Sequence, residues 1–187
     1  MSVYLIKKQD IDCAEPLIEN DKYLSLLEEN FGTKLKPIWG EVKAKWYREN
    51  GKIICDFPFL LGMIPLCKLE IYNKLQKHLN LEDIEFLPIR IENELYYIMN
   101  PCLSIKGILN KKRSKIDYLS NGEIMWISKY VFYPNDIQAS LFKIPEMYTA
   151  VFATTAFVDF IKGNHFTGIE FEPCTIKKES FLNRIFK

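Results

Sequence analysis

Apolar positions recur along this chain with two different periods, and the period separates strands from helices. Val42, Ala44 and Trp46 alternate with Glu41, Lys43 and Lys45, which predicts a strand with one face in water. Tyr23, Leu24, Leu27 and Phe31 recur at helical spacing, which predicts a helix capped by Asp21 and stopped at Gly32. Ile71, Tyr72, Leu75 and Leu79 give a second amphipathic face, with Lys68, Lys74 and Lys77 outside it and Asn80 at its end. Phe157, Phe160 and Ile161 give a third, between a cap at Thr154 or Thr155 and a stop at Gly163.

Turn residues divide most of the remaining apolar runs into hairpins. Residues 38–57 read as two strands joined at Glu49-Asn50-Gly51, because Asn and Gly both accept the positive φ of a tight hairpin turn. Residues 84–91 and 95–99 read as a second pair around Glu92-Asn93-Glu94, and 116–118 with 124–133 as a third around Ser120-Asn121-Gly122. Pro88 lacks a ladder donor, which predicts an edge or a bulge at that point of its strand. Further strands are predicted at 3–6, 141–144, 148–153 and 169–171, with a buried loop or irregular strand at 58–66. Phe181, Leu182, Ile185 and Phe186 suggest a short amphipathic tail helix within 175–187.

Two segments nearly repeat each other: Ile84-Glu85-Phe86-Leu87-Pro88 and Ile169-Glu170-Phe171-Glu172-Pro173. Each follows a helical pattern and a short polar loop, so a helix-then-strand unit used twice is expected. Hairpins with a few intervening helices predict an α+β fold with a largely antiparallel sheet. No linker-like stretch or shift in composition divides the 187 residues, so a single domain over 1–187 is expected.

Composition narrows the functional classes. The 48% hydrophobic and 14% aromatic content is that of a globular chain with ample material for a core. A net charge of +1 supplies no overall field for a polyanion or a membrane surface, so nucleic acid and membrane are not expected partners. The N-terminal ten residues contain no long apolar run and read as a strand, not a secretion signal. The apolar run at 57–67 is interrupted by Pro58, Gly62 and Pro65 and falls short of the roughly 20 residues a spanning helix needs. Cys13, Cys55, Cys67, Cys102 and Cys174 are scattered and lack C-x-x-C spacing, which predicts reduced, mostly buried thiols in a cytoplasmic protein.

Reactive constellations are hard to find in the sequence. His78 and His165 are the two histidines, and a helix end and a loop are their plain settings. A Cys67–His78 nucleophile pair, or a site at His165, is the alternative, a small hydrolase-like enzyme. Glu82, Asp83, Glu85, Glu92 and Glu94 cluster near turns, where carboxylates are usually solvated. The basic group Lys106, Lys111, Lys112, Arg113 and Lys115 lacks the interleaved aromatics of a single-strand groove. It reads as a solvated loop or the rim of a contact with an acidic partner. Trp39, Trp46 and Tyr47 fit either a core or an interface. No Walker loop, G-x-G-x-x-G, G-x-S-x-G or H-E-x-x-H is present, and no catalytic, cofactor or metal residues are assigned.

The order of motifs from Leu66 to Cys174 resembles a known bacterial family. Its carriers are Ile84-Glu85-Phe86-Leu87-Pro88-Ile89, Tyr96-Tyr97-Ile98-Met99-Asn100, Leu141-Phe142-Lys143-Ile144 and Thr167-Gly168-Ile169-Glu170-Phe171-Glu172-Pro173. The family was first catalogued as a domain of unknown function. It was later grouped among the immunity proteins of polymorphic toxin systems, as the eleventh such family, with a myxobacterial founding member. The serine cap frequent in that family before the first of these strands has no clear counterpart near Cys67, and residues before Leu66 carry no match. The resemblance implies a cytoplasmic, non-enzymatic protein that binds and neutralises a cognate toxin domain. It carries over no catalytic or contact residues.

Overall fold

Three helices form where the apolar spacing places them, and each turns its apolar stripe inward. The computed structural model describes residues 2–47, 52–134 and 136–177. The helices are α1 (Asp21–Asn30), α2 (Leu69–His78) and α3 (Thr155–Gly163). Asn20, not Asp21, caps α1: its Oδ1 accepts the N–H of Lys22 at 3.0 Å, and Asp21 is the first helical residue. Gly32 follows at φ +96°, a conformation glycine adopts at little cost. Thr154 holds the N-cap position of α3 with its hydroxyl turned toward the Ser140 carbonyl, so the helix starts without a side-chain cap.

The strands are β1 (Val3–Lys8), β2 (Glu15–Ile18), β3 (Lys43–Tyr47), β4 (Phe59–Leu60), β5 (Ile64–Lys68), β6 (Ile84–Ile91) and β7 (Glu94–Pro101). They continue with β8 (Lys115–Tyr118), β9 (Ile124–Lys129), β10 (Val131–Phe132), β11 (Leu141–Ile144), β12 (Met147–Thr154), β13 (Ile169–Pro173) and β14 (Thr175–Ile176). A six-stranded sheet runs in the order β2-β3-β6-β7-β5-β4 and a four-stranded sheet in the order β11-β12-β1-β13. β8 pairs with β9 and β10 with β14. All pairings between these strands are antiparallel except β3 with β6 and β10 with β14, so the expected α+β class with mainly antiparallel sheets holds.

The four-stranded sheet is a wall between two cores, and its alternation shows why. Ile6, Leu141, Val151 and Ala153 face a large core shared with the six-stranded sheet and the three helices. Val3, Phe142, Ile144 and Phe152 face a second core under β9 and β10. Successive side chains of a strand point to opposite faces. A strand apolar at every position is therefore a strand buried on both sides. In the second core Tyr130, Phe132, Phe142 and Phe152 stack or meet edge to face, with ring centroids 5.0–6.4 Å apart.

Several sequence expectations need correction. β3 does not pair back on 53–55: its neighbours are β2 and β6, and Ile53 bridges Cys13. The Glu49-Asn50-Gly51 turn lies outside the described residues. Cys13 and Cys55 are joined in a disulfide, with Cα atoms 5.7 Å apart, so the expectation of five reduced thiols fails. Thr175 and Ile176 form a strand where a tail helix was expected to begin, and 178–187 lie outside the described residues. The two near-repeats each follow a helix, but β6 lies inside the six-stranded sheet and β13 at an edge of the other. Their different neighbours show no duplicated unit.

Pro88 is accommodated as its chemistry requires. The N–H groups of Arg90 and Glu92 donate toward β3, to Val42 and Ala44. By alternation the missing donor of Pro88 faces that same side, beyond the end of β3, whose register reaches only Arg90 and Ile91. The sheet interior is locally an edge there, and Trp39 covers it, donating Nε1–H to the Pro88 carbonyl at 2.8 Å.

Candidate functional site

The residues considered for chemistry from the sequence are not brought together. Cys67 lies on β5, fully buried, and burial holds its thiol protonated far above the ordinary range. His78 is the last residue of α2, with its ring 5.6 Å from that of Phe160. His165 stands in the loop after α3 at φ +56°. Of the acidic cluster, Glu85 is structural: its carboxylate accepts the N–H of Leu35 at 2.6 Å and a weaker bond from the Asn100 amide. Among the described residues no group of three or more His, Cys, Asp or Glu could hold a metal ion.

The basic loop is exposed and ties itself down. Lys111 pairs with Glu146 at 3.4 Å, and the Ser114 and Arg113 N–H groups donate back to the Asn110 carbonyl. Trp46 is buried edge to face against Tyr96 at 5.5 Å, and Trp39 meets Tyr23 at 5.3 Å. These tryptophans belong to the core and its margin. Tyr47 is half exposed beside them.

A polar cluster that the sequence did not single out lies under residues 31–36. Asn100, fully buried on β7, accepts the Gly32 N–H at 2.7 Å and donates to the Thr33 carbonyl at 2.7 Å. Lys143, 4% exposed on β11, donates to the Phe31 carbonyl at 2.6 Å and lies 3.8 Å from the centre of the Phe31 ring. Burial lowers its ammonium to about 7, with Cys102 opposing that shift. Burial raises the Cys102 thiol, so this cysteine is held as a thiol. The arrangement fastens the loop after α1.

The open chemistry of the molecule is apolar and sits around the β4–β5 turn. Leu61 occupies the left-handed region at φ +53°, followed by Gly62 at φ +69°. A leucine there costs about 1 kcal/mol or more, and this one is also 38% exposed. Met63 beside it is 43% exposed.

Two clefts meet at this tip. One, of about 370 Å³, is lined by Leu27, Phe31 and Ile64 with Tyr148 at its rim. The other, of about 430 Å³, runs between β1 and β12, with Phe59, Trp126 and Met147 in its walls. Leu61, Met63 and Thr149 border both. Trp126 and Tyr148 are more than half exposed, at 54% and 60%. Exposed Trp and Tyr beside apolar clefts are the residues that anchor protein interfaces. No sequence signal separated them from core aromatics, because β9 and β12 read as ordinary strands.

Among the described residues no helix is long and apolar enough to cross a membrane. The chain matches no protein-family model and no curated protein.

Proposed function

We propose that this protein acts by binding another protein, and that the partner is a cognate toxin domain which it neutralises in the producing cell. The observation that carries the reading is the apolar face around Leu61, Met63, Trp126 and Tyr148, with its strained hairpin tip and two adjoining clefts. The class of partner comes from the resemblance of residues 66–174 to the immunity family. A binder of this kind needs a stable scaffold and a complementary surface, and a standard interface buries about 1,600 Å² in total. With a net charge of +1, recognition rests on shape and apolar burial more than on long-range attraction.

The test is co-expression with the product of the adjacent gene. A stable complex on gel filtration, together with survival of cells that the gene product alone kills, is the expected outcome. No complex and no survival would remove the proposal.

A further inference from the structure

Lys143 is buried beneath a thin cover. A Cβ added at Gly32 would lie 2.6 Å from its Nζ, so the main chain at Gly32 rests directly on the amine. Gly32 is half-buried, and Thr33 and Lys34 after it are exposed. These three residues hang between two buried anchors, Phe31 and Leu35. Among the described residues, the main-chain hydrogen bonds of residues 31–36 stay within 27–39. Side chains make the polar contacts with the rest of the molecule: Asn100 holds Gly32 and Thr33, Lys143 holds Phe31, and the Cys102 thiol donates to the Thr33 carbonyl at 3.5 Å. No strand ladder has to break for residues 32–34 to lift, which places them among the segments that open locally at low cost.

The charges around the amine leave it without a counter-ion. Among the described residues no carboxylate forms an ion pair with Lys143. Glu85, on β6, directs its carboxylate to the N–H groups of Leu35 and Lys36 and to the Asn100 amide. Glu28 and Glu29 in the last turn of α1 are exposed, as are Lys34 on the cover and Lys106 next to the segment 103–105 that bonds the Lys143 main chain. Val151 and Ala153, the β12 residues on this face of the sheet, are apolar. Cys102 raises the ammonium pKa, but burial outweighs it and leaves the value at about 7.

We propose that residues 32–34 form a proton-operated cover, which lifts to let the Lys143 amine take up a proton and water and settles back on the neutral amine. With the cover lifted, the amine is solvated and binds a proton at the ordinary lysine value of 10.5; under the closed cover it does so only below about 7. Between those values lifting takes up one proton, so the opening equilibrium rises about tenfold for each unit that the pH falls. Below about 7 both states are charged and the dependence ends. Lifting also frees the Phe31 carbonyl at the C-cap of α1, and the Phe31 ring lines the smaller cleft beside Leu61 and Met63. The device thus adjoins the apolar face, and it does not rest on the toxin-binding reading.

Amide hydrogen exchange of the full chain, followed by NMR between about pH 7.5 and 9.5, tests it. Observed rates divided by those of an unstructured peptide give opening constants. The constant of the Gly32 amide, whose bond to Asn100 ties the cover to the body, should fall about tenfold for each unit of rising pH. Cys102 would act with the opposite sign, since its thiol is held protonated by burial and ionises near 9.0 once uncovered. The Leu87 amide, inside the six-stranded sheet, reports global unfolding and should exchange about 100-fold or more slowly than that of Gly32. In Lys143→Met, whose side chain binds no proton, the Gly32 constant should lose its fall with pH. A constant in the native chain that does not fall with pH would overturn the inference, as would Gly32 exchange as slow as that of Leu87. The same fall persisting in Lys143→Met would overturn it too. If that variant does not fold, the two readings on the native chain decide.

Discussion

Lys143 places an amine where water cannot reach it, and its energetics follow from that burial. Its folded-state pKa is lowered to about 7 from an ordinary 10.5. Between those values the unfolded chain holds a proton that the folded chain has lost. Stability therefore rises with pH above about 7, by at most about 1.4 kcal/mol per pH unit from this group. The Cys67 and Cys174 thiols, one buried and one half-buried, act in the opposite direction. Burial raises Cys67 beyond the thiol range and Cys174 to about 12, from ordinary values of 9.0. Above pH 9 their unfolded forms ionise while the folded ones do not, and stability falls. Urea denaturation across pH 7–10 should show a maximum near pH 9, and Lys143→Met should flatten the rising limb. An unchanged rising limb in that variant would assign it to another group. The Cys13–Cys55 bridge makes a second prediction at this scale. Alkylation after unfolding without reductant should label Cys67, Cys102 and Cys174 and spare the bridged pair. Replacing both bridged cysteines by Ser should cost about 4 kcal/mol, from the entropy of a loop of 42 residues. Disulfides persist in oxidising compartments. Alkylation before lysis therefore tests the cytoplasmic placement that the resemblance implies.

Among the elements, the joints matter more than the elements they connect. The approach to β13 is held at Gly168, at φ +92°, where an added Cβ would meet the Phe57 carbonyl and the Cβ of Cys55. Gln9 accepts the Gly168 N–H at 2.9 Å through Oε1, and the Asp56 carboxylate accepts both the N–H and the hydroxyl of Thr167 at 2.9 Å. One short turn thus joins the end of β1, the segment that follows Cys55, and β13. Gly168→Ala should destabilise the protein by about 2–4 kcal/mol, because strain and overlap add. Thermal melting would measure it, and a variant as stable as the native chain would contradict the geometry. The same logic holds at Asn100, whose amide satisfies two groups of the loop after α1. Asn100→Ala leaves the Gly32 donor unpaired and the Thr33 carbonyl with only the Cys102 thiol at 3.5 Å, which costs about 1–3 kcal/mol.

Across the whole molecule, the four-stranded sheet divides two cores. The proposed binding face is the apolar surface around Leu61, Met63, Trp126 and Tyr148. Tyr148→Ala should weaken a toxin complex by about 2 kcal/mol, roughly 30-fold, with little effect on folding, since the ring is mostly in water. Raising salt should change the association only modestly, because the lysines lining the larger cleft, Lys7 and Lys8, are already paired with Glu172 and Glu15. Binding titrations at low and high ionic strength would check both. A steep salt dependence would direct attention to the basic loop at 106–115 instead. How much of this was legible beforehand differs by feature. The spacing of Ile71, Tyr72 and Leu75 located α2, and Glu92-Asn93 located the β6–β7 turn, because both depend on neighbours in sequence. Alternation could not pair β3 with β6 or Cys13 with Cys55, since those partners meet through the path of the chain between them.

Sequence alone determined the periods, and hence the helices, most strands, the mainly antiparallel class and the near-neutral charge. Those follow from local stereochemistry and from which side chains avoid water. Tertiary structure decided which apolar residues remain exposed. It decided that Lys143 is buried and fastens the loop after α1 through the Phe31 carbonyl. Burial and strand pairing are set by what the rest of the chain brings alongside, so the same apolar letters in β12 and β9 could have been core or surface until the chain closed around them.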